Sequence, residues 1–422
     1  MTNKKVKRRI KKEVIDALSF SKIVYVQGAR QVGKSTLVQE IGEELKAIYI
    51  TLDDDDMLQQ AKNDPKSLLK INEEGVVIID EVQLAPELWR PLKMQVDSSS
   101  RKGQFLLTGS TYTLTSSRAP DSLAGRIVHF ELDPLSQNEI HETSTRIARI
   151  LDIENPNFKE IFGFQSNISK QEYYNYALTG GYPEVIFSKN LKQSRRYLKN
   201  YIQSLLSKDQ ESFGSYKPVD NLTKAFELLA SGTCQEFVKT EFSKALGMNN
   251  NTGQEYLDVF EKLFLVRSLP GWSISTPSKI VKRPKILFND SGLAASIANV
   301  NLEKFNPMLD SGYNGQLFET FAINEILRQL HITADLYTKA YHYRDKNKHE
   351  IDLILENSEK KLICIEIKSS ATAYNAEKHI KWFANYEKYK KYYAGGIVFY
   401  TGDKVVPLSN NIWKIPLSYL WA

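Results

Sequence analysis

The chain is poor in cysteine, and this scarcity excludes several classes of protein. Two cysteines, Cys234 and Cys364, occur among 422 residues, and each lies in an apolar stretch far from the other. A disulfide framework or a cysteine-based metal site needs several cysteines at close spacing, so we expect neither. Because disulfide-rich proteins belong to oxidising compartments, the cysteine content favours a cytoplasmic protein.

Long apolar runs and a strong net charge are also missing. No segment approaches the ~18 consecutive apolar residues of a membrane span, and the basic start at residues 4–12 lacks the apolar core of a signal peptide. We therefore expect no membrane span. The net charge of +6 permits an anionic partner without requiring one. For the basic helix expected over residues 1–20, we favour a solvated face over contact with nucleic acid.

A phosphate-binding loop is the clearest motif in the sequence. Residues 28–35 read Gly-Ala-Arg-Gln-Val-Gly-Lys-Ser, the P-loop spacing, between a strand pattern and a helical pattern. Successive backbone N–H groups and the helix N-terminus would converge on phosphate, where glycine allows close approach. Lys34 would neutralise phosphate charge, and the Ser35 hydroxyl would ligate Mg²⁺. The expected nucleotide-binding residues are Gly28, Ala29, Arg30, Gln31, Val32, Gly33, Lys34, Ser35 and Thr36.

Two carboxylates end the next strongly apolar run, residues 76–81, which reads Val-Val-Ile-Ile-Asp-Glu. Such a run predicts a buried parallel strand, and ligands of open α/β sheets gather at the carboxyl ends of the strands. Asp80 would hold Mg²⁺ through water, and Glu81 would polarise the attacking water. For the four aspartates at residues 53–56, we favour a helix-capping loop over a second metal site.

Two further segments complete the expected nucleotide site. Residues 104–110 predict a strand that ends in hydroxyl residues, so Ser110 either senses the γ-phosphate or belongs to an ordinary strand-end turn. Arg126 either reaches the nucleotide, within one chain or from a neighbouring subunit, or is a structural surface arginine. With a last strand at residues 127–132, the alternation of strands and helices predicts a parallel α/β domain over residues 1–150.

The middle of the chain is expected to be helical. Residues 151–215 form a linker whose basic residues, Lys192, Arg195, Arg196 and Lys199, lie near one helix face; we favour a solvated face over a phosphate-contacting stripe. Residues 216–300 contain three helical patterns and a hairpin, the plan of a winged helix. Because its third helix offers Gln254, Glu255 and Asp258, we favour protein–protein or interdomain packing over DNA reading.

A second cluster of carboxylates is expected near the C-terminus. Residues 350–355 and 362–368 alternate as paired strands, which would bring Asp352 beside Glu366 and place Lys368 on the same face as Glu366. Glu319 lies on an amphipathic helix upstream. These carboxylates would ligate Mg²⁺, and Lys368 would position water for phosphodiester cleavage. A solvated hairpin with alternating charges explains the pattern nearly as well.

The motifs in their order resemble those of bacterial and archaeal AAA-type ATP-binding proteins with a C-terminal domain of unknown function, family 4143. The resemblance rests on residues 28–35, 76–81, 107–110, 122–126, 180–183 and 284–293. It implies an α/β protein: a P-loop NTPase parallel sheet, a helical and winged-helix region, and, over residues 301–422, an α/β domain similar to restriction-endonuclease-like PD-(D/E)xK nucleases. Asp352, Glu366 and Lys368 match that last motif, with Glu319 as its helical acid. Ala29 and Ser35 stand where Pro and Thr are frequent in the family.

Two alternative functions are therefore expected. In the first, a Mg²⁺-dependent ATPase couples its ATP state to a nuclease-like module that acts on DNA or RNA. In the alternative, the chain is a nucleotide-dependent switch whose C-terminal module docks a protein or nucleic acid without cleaving it. The expected catalytic residues are Lys34, Glu81, Arg126, Asp352, Glu366 and Lys368, and the expected metal ligands are Ser35, Asp80, Glu319, Asp352 and Glu366. The oligomeric state is left open, and the preference for adenine rests on the resemblance.

Overall fold

A computed structural model describes residues 5–110, 123–150, 161–188, 190–208, 219–275, 279, 282–300, 312–333 and 338–422. The chain divides into two compact units. The first comprises residues 1–135, 262–264 and 331–334, and the second comprises residues 136–261, 265–330 and 335–422. Among the helices of the described ranges, none has the length and apolar character needed to cross a membrane.

The first unit is built on a parallel sheet of five strands in the order β2-β3-β4-β1-β5. The strands are β1 (Ile23–Gln27), β2 (Ile48–Thr51), β3 (Val77–Asp80), β4 (Phe105–Gly109) and β5 (Ile127–Glu131). The strands predicted before the P-loop and over residues 76–81, 104–110 and 127–132 are all present, and every pairing in the sheet is parallel. The strands β1, β3 and β4 are buried along their whole length, as expected for a parallel sheet covered on both faces.

The helices of the first unit follow the strands as the alternation predicts. They are α1 (Lys11–Phe20), α2 (Lys34–Leu45), α3 (Asp55–Asn63), α4 (Pro65–Leu69) and α5 (Trp89–Asp97). The acidic run at residues 53–56 starts α3: Asp54 is its N-cap and accepts a hydrogen bond from the Met57 N–H over 3.0 Å. The expectation of a capping loop is confirmed, because this carboxylate satisfies a backbone donor that the helix leaves unpaired.

The N-terminal helix is shorter than predicted. We expected a basic helix over residues 1–20, but α1 begins at Lys11, and residues 5–8 before it are not helical. The Arg8 side chain instead donates hydrogen bonds to two backbone carbonyl oxygens, that of Val32 in the P-loop and that of Asp133 after β5. Tertiary hydrogen bonds therefore override the local helical pattern.

Helices dominate the first part of the second unit, where a small antiparallel sheet also forms. The helices are α6 (Gln137–Ile140), α7 (Ile147–Ile150), α8 (Lys170–Thr179), α9 (Pro183–Ile186), α10 (Leu191–Lys208), α11 (Val219–Ser231), α12 (Lys239–Ala245) and α13 (Asn250–Lys262). The sheet has the order β6-β8-β7, from β6 (Gln235–Glu236), β7 (Val266–Leu269) and β8 (Lys285–Phe288). Three helices and the antiparallel pair β7–β8 thus occur in the predicted order, and the winged-helix interpretation stays a prediction.

Two of the family-like motifs pack against each other in this unit. The N-cap of helix α14 (Ser291–Ile297) is Asp290, whose carboxylate accepts hydrogen bonds from the N–H groups of Leu293, over 2.9 Å, and Gly181, over 2.6 Å. A Cβ atom at Gly180 would lie 2.0 Å from the Asp290 carboxylate, and one at Gly292 would lie 2.3 Å from the Thr179 carbonyl oxygen. Both positions therefore require glycine.

A mixed sheet of six strands, in the order β13-β14-β12-β11-β10-β9, forms the C-terminal part of the second unit. Its strands are β9 (Lys339–Arg344), β10 (Glu350–Glu356), β11 (Leu362–Lys368), β12 (Tyr393–Tyr400), β13 (Val406–Leu408) and β14 (Ile412–Pro416). The helices of this part are α15 (Gly312–Ile332) and α16 (Lys378–Asn385). Strands β10 and β11 pair antiparallel, as predicted, with Leu353 opposite Ile365.

Candidate functional site

The P-loop lies between β1 and α2, at the carboxyl edge of the parallel sheet. Helix α2 begins at Lys34, and the preceding Gly33 has a left-handed φ of 98°. At the other end of the loop, a Cβ atom on Gly28 would lie 2.3 Å from the Leu132 carbonyl oxygen. Both glycines are thus required by the backbone: Gly33 by its dihedral angle and Gly28 by close approach of the chain after β5.

The Lys34 side chain is buried inside this loop, with 3% of its surface exposed. Its Nζ donates to the carbonyl oxygens of Gly28, over 3.1 Å, and Ala29, over 3.0 Å. Burial lowers the pKa of Lys34, and the negative charges of Glu81 and Asp80 oppose that shift. The ammonium group is therefore held where an anion bound by the loop would reach it.

The carboxylates at the end of β3 are fixed by hydroxyl groups from neighbouring strands. Asp80 accepts hydrogen bonds from the Thr108 hydroxyl on β4 and, over 2.7 Å, from the Tyr49 hydroxyl on β2. Burial, followed by the hydrogen bond to Asp80, raises the pKa of Tyr49 to about 12, so the phenol remains a donor. Sequence reasoning missed Tyr49, because its contact with Asp80 follows from the pairing of β2 with β3.

Glu81 belongs to the same network. Its N–H donates to Thr108 Oγ1 over 3.0 Å, and its Oε2 accepts from Ser110 Oγ over 3.1 Å. The Gln83 Nε2 group donates to the Glu81 carboxylate and, over 3.0 Å, to Ser110 Oγ. The structure therefore brings the predicted residues Asp80, Glu81 and Ser110 together at one edge of the sheet.

Arg8 supports the P-loop from outside the predicted site. Its guanidinium donates to the carbonyl oxygens of Val32, over 2.8 Å, and Asp133, over 2.7 Å. The Asp133 carboxylate in turn lies 2.7 Å from Nδ1 of His331, and ligand atoms of these two residues and Glu131 lie within 4.8 Å of one another. None of these residues was singled out from the sequence, because the contacts join distant segments.

Arg126 is not brought to the P-loop. It precedes β5, and its carbonyl oxygen accepts from Ile23 N at the start of β1, so it lies at the amino edge of the sheet. Five strand residues separate that edge from the loop, a distance of about 16 Å. Its guanidinium pairs with both carboxylate oxygens of Asp97. The expectation that Arg126 reaches the nucleotide of its own chain is therefore wrong. In this chain Arg126 fits the alternative expectation, a structural arginine at the surface.

The predicted C-terminal residues do converge. Asp352 on β10 accepts a hydrogen bond from Ile367 N on β11 over 2.8 Å. Lys368 Nζ lies 2.6 Å from Glu366 Oε2 and 3.6 Å from Asp352 Oδ2. Asp352 and Glu366 are buried, with 7% and 3% of their surface exposed, so the pattern is not that of a solvated hairpin.

A second lysine, missed from the sequence, enters the same cluster. Lys285 on β8 has 2% of its side chain exposed, and its Nζ lies 2.7 Å from Glu319 Oε1 and 3.0 Å from Glu350 Oε1. Asp352 Oδ1 is 3.9 Å away. Burial opposes the charge of Lys285, but Glu319, Cys234, Asp352 and Glu350 together raise its pKa well above the usual value. The predicted ligand Glu319 is thus engaged by an ammonium group.

Within this C-terminal carboxylate cluster (Glu319, Glu350, Asp352 and Glu366), Asp352 and Glu366 differ in the direction of their pKa shifts. Burial and then the Asp352 charge raise the pKa of Glu366 well above its ordinary value. Although burial acts the other way, Lys368 and Lys285 lower the pKa of Asp352. The Glu366 Oε1 atom is buried and has no hydrogen-bond partner among the described residues. Two adjacent carboxylates with an unpartnered oxygen are a donor set that suits a hard divalent cation.

Three family models match successive parts of the chain. Residues 20–141 match an AAA domain, residues 170–304 a domain of unknown function (DUF8612), and residues 314–420 a domain of unknown function (DUF4143). The AAA match contains Lys34, Asp80, Glu81 and Ser110, and the DUF4143 match contains Glu319, Asp352, Glu366 and Lys368.

Similar proteins and a similar solved structure are known. An uncharacterized protein of Mycobacterium tuberculosis is 24% identical over 404 residues, which cover 95% of this chain and 81% of that protein. One of Haemophilus influenzae is 25% identical over 368 residues, with 79% and 86% covered. A Walker-type ATPase of Pyrococcus abyssi aligns in three dimensions with a TM-score of 0.43 at 14% identity, covering 69% of this chain and 95% of that one. From the family matches, the chain carries an AAA-type P-loop ATPase domain and a C-terminal DUF4143 domain.

Proposed function

We propose that the first unit binds ATP and hydrolyses it with Mg²⁺. The observation that carries this proposal is the network at the carboxyl edge of the sheet, where Thr108 and Ser110 hold Asp80 and Glu81 beside the loop that contains Lys34. Ser35 and Asp80 offer the oxygen ligands that Mg²⁺ prefers, and the bound ion would neutralise charge on the phosphates. Glu81 would hold and polarise the attacking water, while Lys34 binds the β- and γ-phosphates.

Substitution of Lys34 and Glu81 tests this proposal. Lys34→Ala should abolish ATP binding, and Glu81→Gln should keep binding but reduce turnover by about 10²–10³-fold, because the water loses its carboxylate. The measurements are phosphate release with Mg²⁺-ATP and equilibrium binding of a fluorescent ATP analogue. Lys62→Ala, at an exposed lysine of α3, is the matched control. Wild-type turnover in Lys34→Ala would refute the assignment.

For the C-terminal domain, we propose a divalent-cation site formed by Asp352 and Glu366 that supports phosphodiester cleavage of nucleic acid. The unpartnered Glu366 Oε1 beside Asp352 supports the site. A bound cation would polarise the phosphoryl oxygen, and Lys368, which already touches both carboxylates, would orient the nucleophilic water. Glu319 is a weaker candidate ligand because Lys285 occupies one of its oxygens.

The pairing of Lys285 and Lys368 with these carboxylates favours a second candidate, in which the domain is a docking module that ATP state controls and that performs no chemistry. Calorimetric titration with Mn²⁺ separates the two, using Lys34→Ala without nucleotide as background so that no bound phosphate holds metal at the P-loop. Under the first proposal, Glu366→Gln removes Mn²⁺ binding, and it also stops cleavage of DNA or RNA by a chain with an intact P-loop. Absence of both Mn²⁺ binding and cleavage in the unsubstituted site supports the docking module.

A further inference from the structure

A basic cavity in the second unit has no place in either proposed site. It has a volume of about 420 Å³ and lies between α10 and the residues that end and follow α14. Its lining is polar and positively charged: Arg195, Arg196, Lys199, Asn200, Gln203 and Asn299 contribute to it. Among the described residues no carboxylate lines it, so its three cationic side chains are not balanced locally.

Arg195 is the group that makes this cavity more than a solvated helix face. Its Nη1 donates to the Val300 carbonyl oxygen, while its Nε and Nη2 atoms are buried and lack a hydrogen-bond partner among the described residues. Buried N–H groups of a cation are costly to leave unpaired. Burial also lowers the pKa of Arg195. An acceptor supplied from outside the chain would satisfy both nitrogens.

The neighbouring side chains define which acceptor fits. Arg196 and Lys199 are exposed at the cavity and offer mobile positive charge, and Lys199 Nζ also reaches the Asn299 side-chain oxygen. Arginine presents its donors as a planar fork that matches phosphate and carboxylate oxygens. The amides of Asn200 and Gln203 add donors, and the volume falls in the range of small-ligand sites.

We propose that this cavity is an anion site that binds phosphate groups, separate from the P-loop and from the C-terminal carboxylate cluster. Two sources offer this chemistry, the phosphodiester backbone of a nucleic acid and a free phosphorylated small molecule. The sequence favoured a solvated helix face for the four basic residues at positions 192–199. Under this proposal they divide into two groups. Arg195, Arg196 and Lys199 line the site, and Lys192, on the same helix, does not.

Binding to two probes, a 15-nucleotide single-stranded oligothymidylate and pyrophosphate, tests the proposal. The full-length chain carries Lys34→Ala, and EDTA is present, so that the P-loop and the carboxylate cluster contribute no binding. In this background Arg196→Gln and Lys199→Gln should each weaken binding of the true ligand by about tenfold. If that ligand is a backbone, each substitution should also reduce the slope of log affinity against log salt by about one.

Lys192→Gln removes the same charge from the same helix outside the cavity, and should change affinity less than about twofold. Loss of oligothymidylate binding in the two cavity variants identifies a nucleic-acid backbone as the source. Loss of pyrophosphate binding alone identifies a small phosphorylated ligand. Equal effects of all three substitutions, or no effect on either probe, would overturn the proposal. Arg196 and Lys199 are exposed, so these variants should fold; circular dichroism verifies this.

Discussion

The P-loop site and the C-terminal carboxylate cluster are both buried and charged, but they balance their charge in opposite ways. At the P-loop, the Lys34 ammonium donates to two neutral carbonyl oxygens, and hydroxyl groups hold the nearby acids. In the carboxylate cluster, Lys285 and Lys368 both contact carboxylates directly. The loop thus places an ammonium group among neutral acceptors, whereas the cluster places four acids around two ammonium groups.

Among these substitutions, loss of Lys285 should change stability most. Lys285→Met should destabilise the second unit by about 3–5 kcal/mol, because Glu319, which is largely shielded from solvent, loses the ammonium group that neutralises it. Urea unfolding followed by tryptophan fluorescence measures this, since Trp272, Trp382, Trp413 and Trp421 lie in the second unit. The double variant Lys285→Met with Glu319→Gln should recover part of the loss. A neutral single variant would mean that the lysine does not balance the cluster.

A second test concerns the pH dependence of stability that comes from Glu325, a buried acid paired with arginine instead of lysine. Glu325 accepts from Gln137 N over 2.8 Å and from Arg328 over 3.1 Å, yet burial raises its pKa to about 7. Because the folded state then binds the proton more tightly than the unfolded state, stability should fall as pH rises from about 4.5 to 7, by roughly 3 kcal/mol. Glu325→Gln should lack this part of the pH dependence. Parallel pH–stability curves for the two proteins would contradict the assignment.

At the P-loop, Thr108→Val should have a smaller effect. The substitution removes the hydroxyl that donates to Asp80 and accepts from Glu81 N–H, and leaves both groups short of a partner. We expect ATP turnover to fall about tenfold and the unfolding free energy to fall by about 1–2 kcal/mol. Steady-state ATPase kinetics and urea unfolding measure the two. Unchanged turnover would show that the hydroxyl does not position the acids.

The smallest effect is expected for Arg126, which lies at the opposite edge of the sheet. Arg126→Ala should leave turnover within about twofold, because its exposed pair with Asp97 adds little. The measurement is ATPase activity over a range of protein concentrations. A large loss that grows with concentration would instead reveal that Arg126 acts on the nucleotide of a neighbouring subunit.

Sequence alone predicted the first unit well because its information is local. Each strand is a short apolar run that ends in polar residues, and the residues predicted to bind phosphate are contiguous from Gly28 to Thr36. The exceptions are long-range contacts. The segment before Lys11 is not helical where Arg8 reaches the loop, and Tyr49 meets Asp80 only because β2 and β3 are neighbours in the sheet.

The carboxylate cluster was predicted only in part, for the same reason. The pairing of two adjacent strands brings Asp352 beside Glu366, and strand periodicity alone indicates this. Lys285 comes from a strand of a different sheet, and its partner Glu350 is 65 residues away in sequence. No periodicity or spacing reports such a contact, so the internal cation of the site was missed.

The contact between Gly180 and Asp290 has a consequence for the history of such chains. Because a methyl group at Gly180 or Gly292 would collide with the opposite segment, neither segment can accept a larger residue while the other stays as it is. We therefore expect these two short motifs, more than a hundred residues apart in the chain, to be inherited or lost together. A genome search that requires both would separate true relatives from proteins that share the ATPase domain alone.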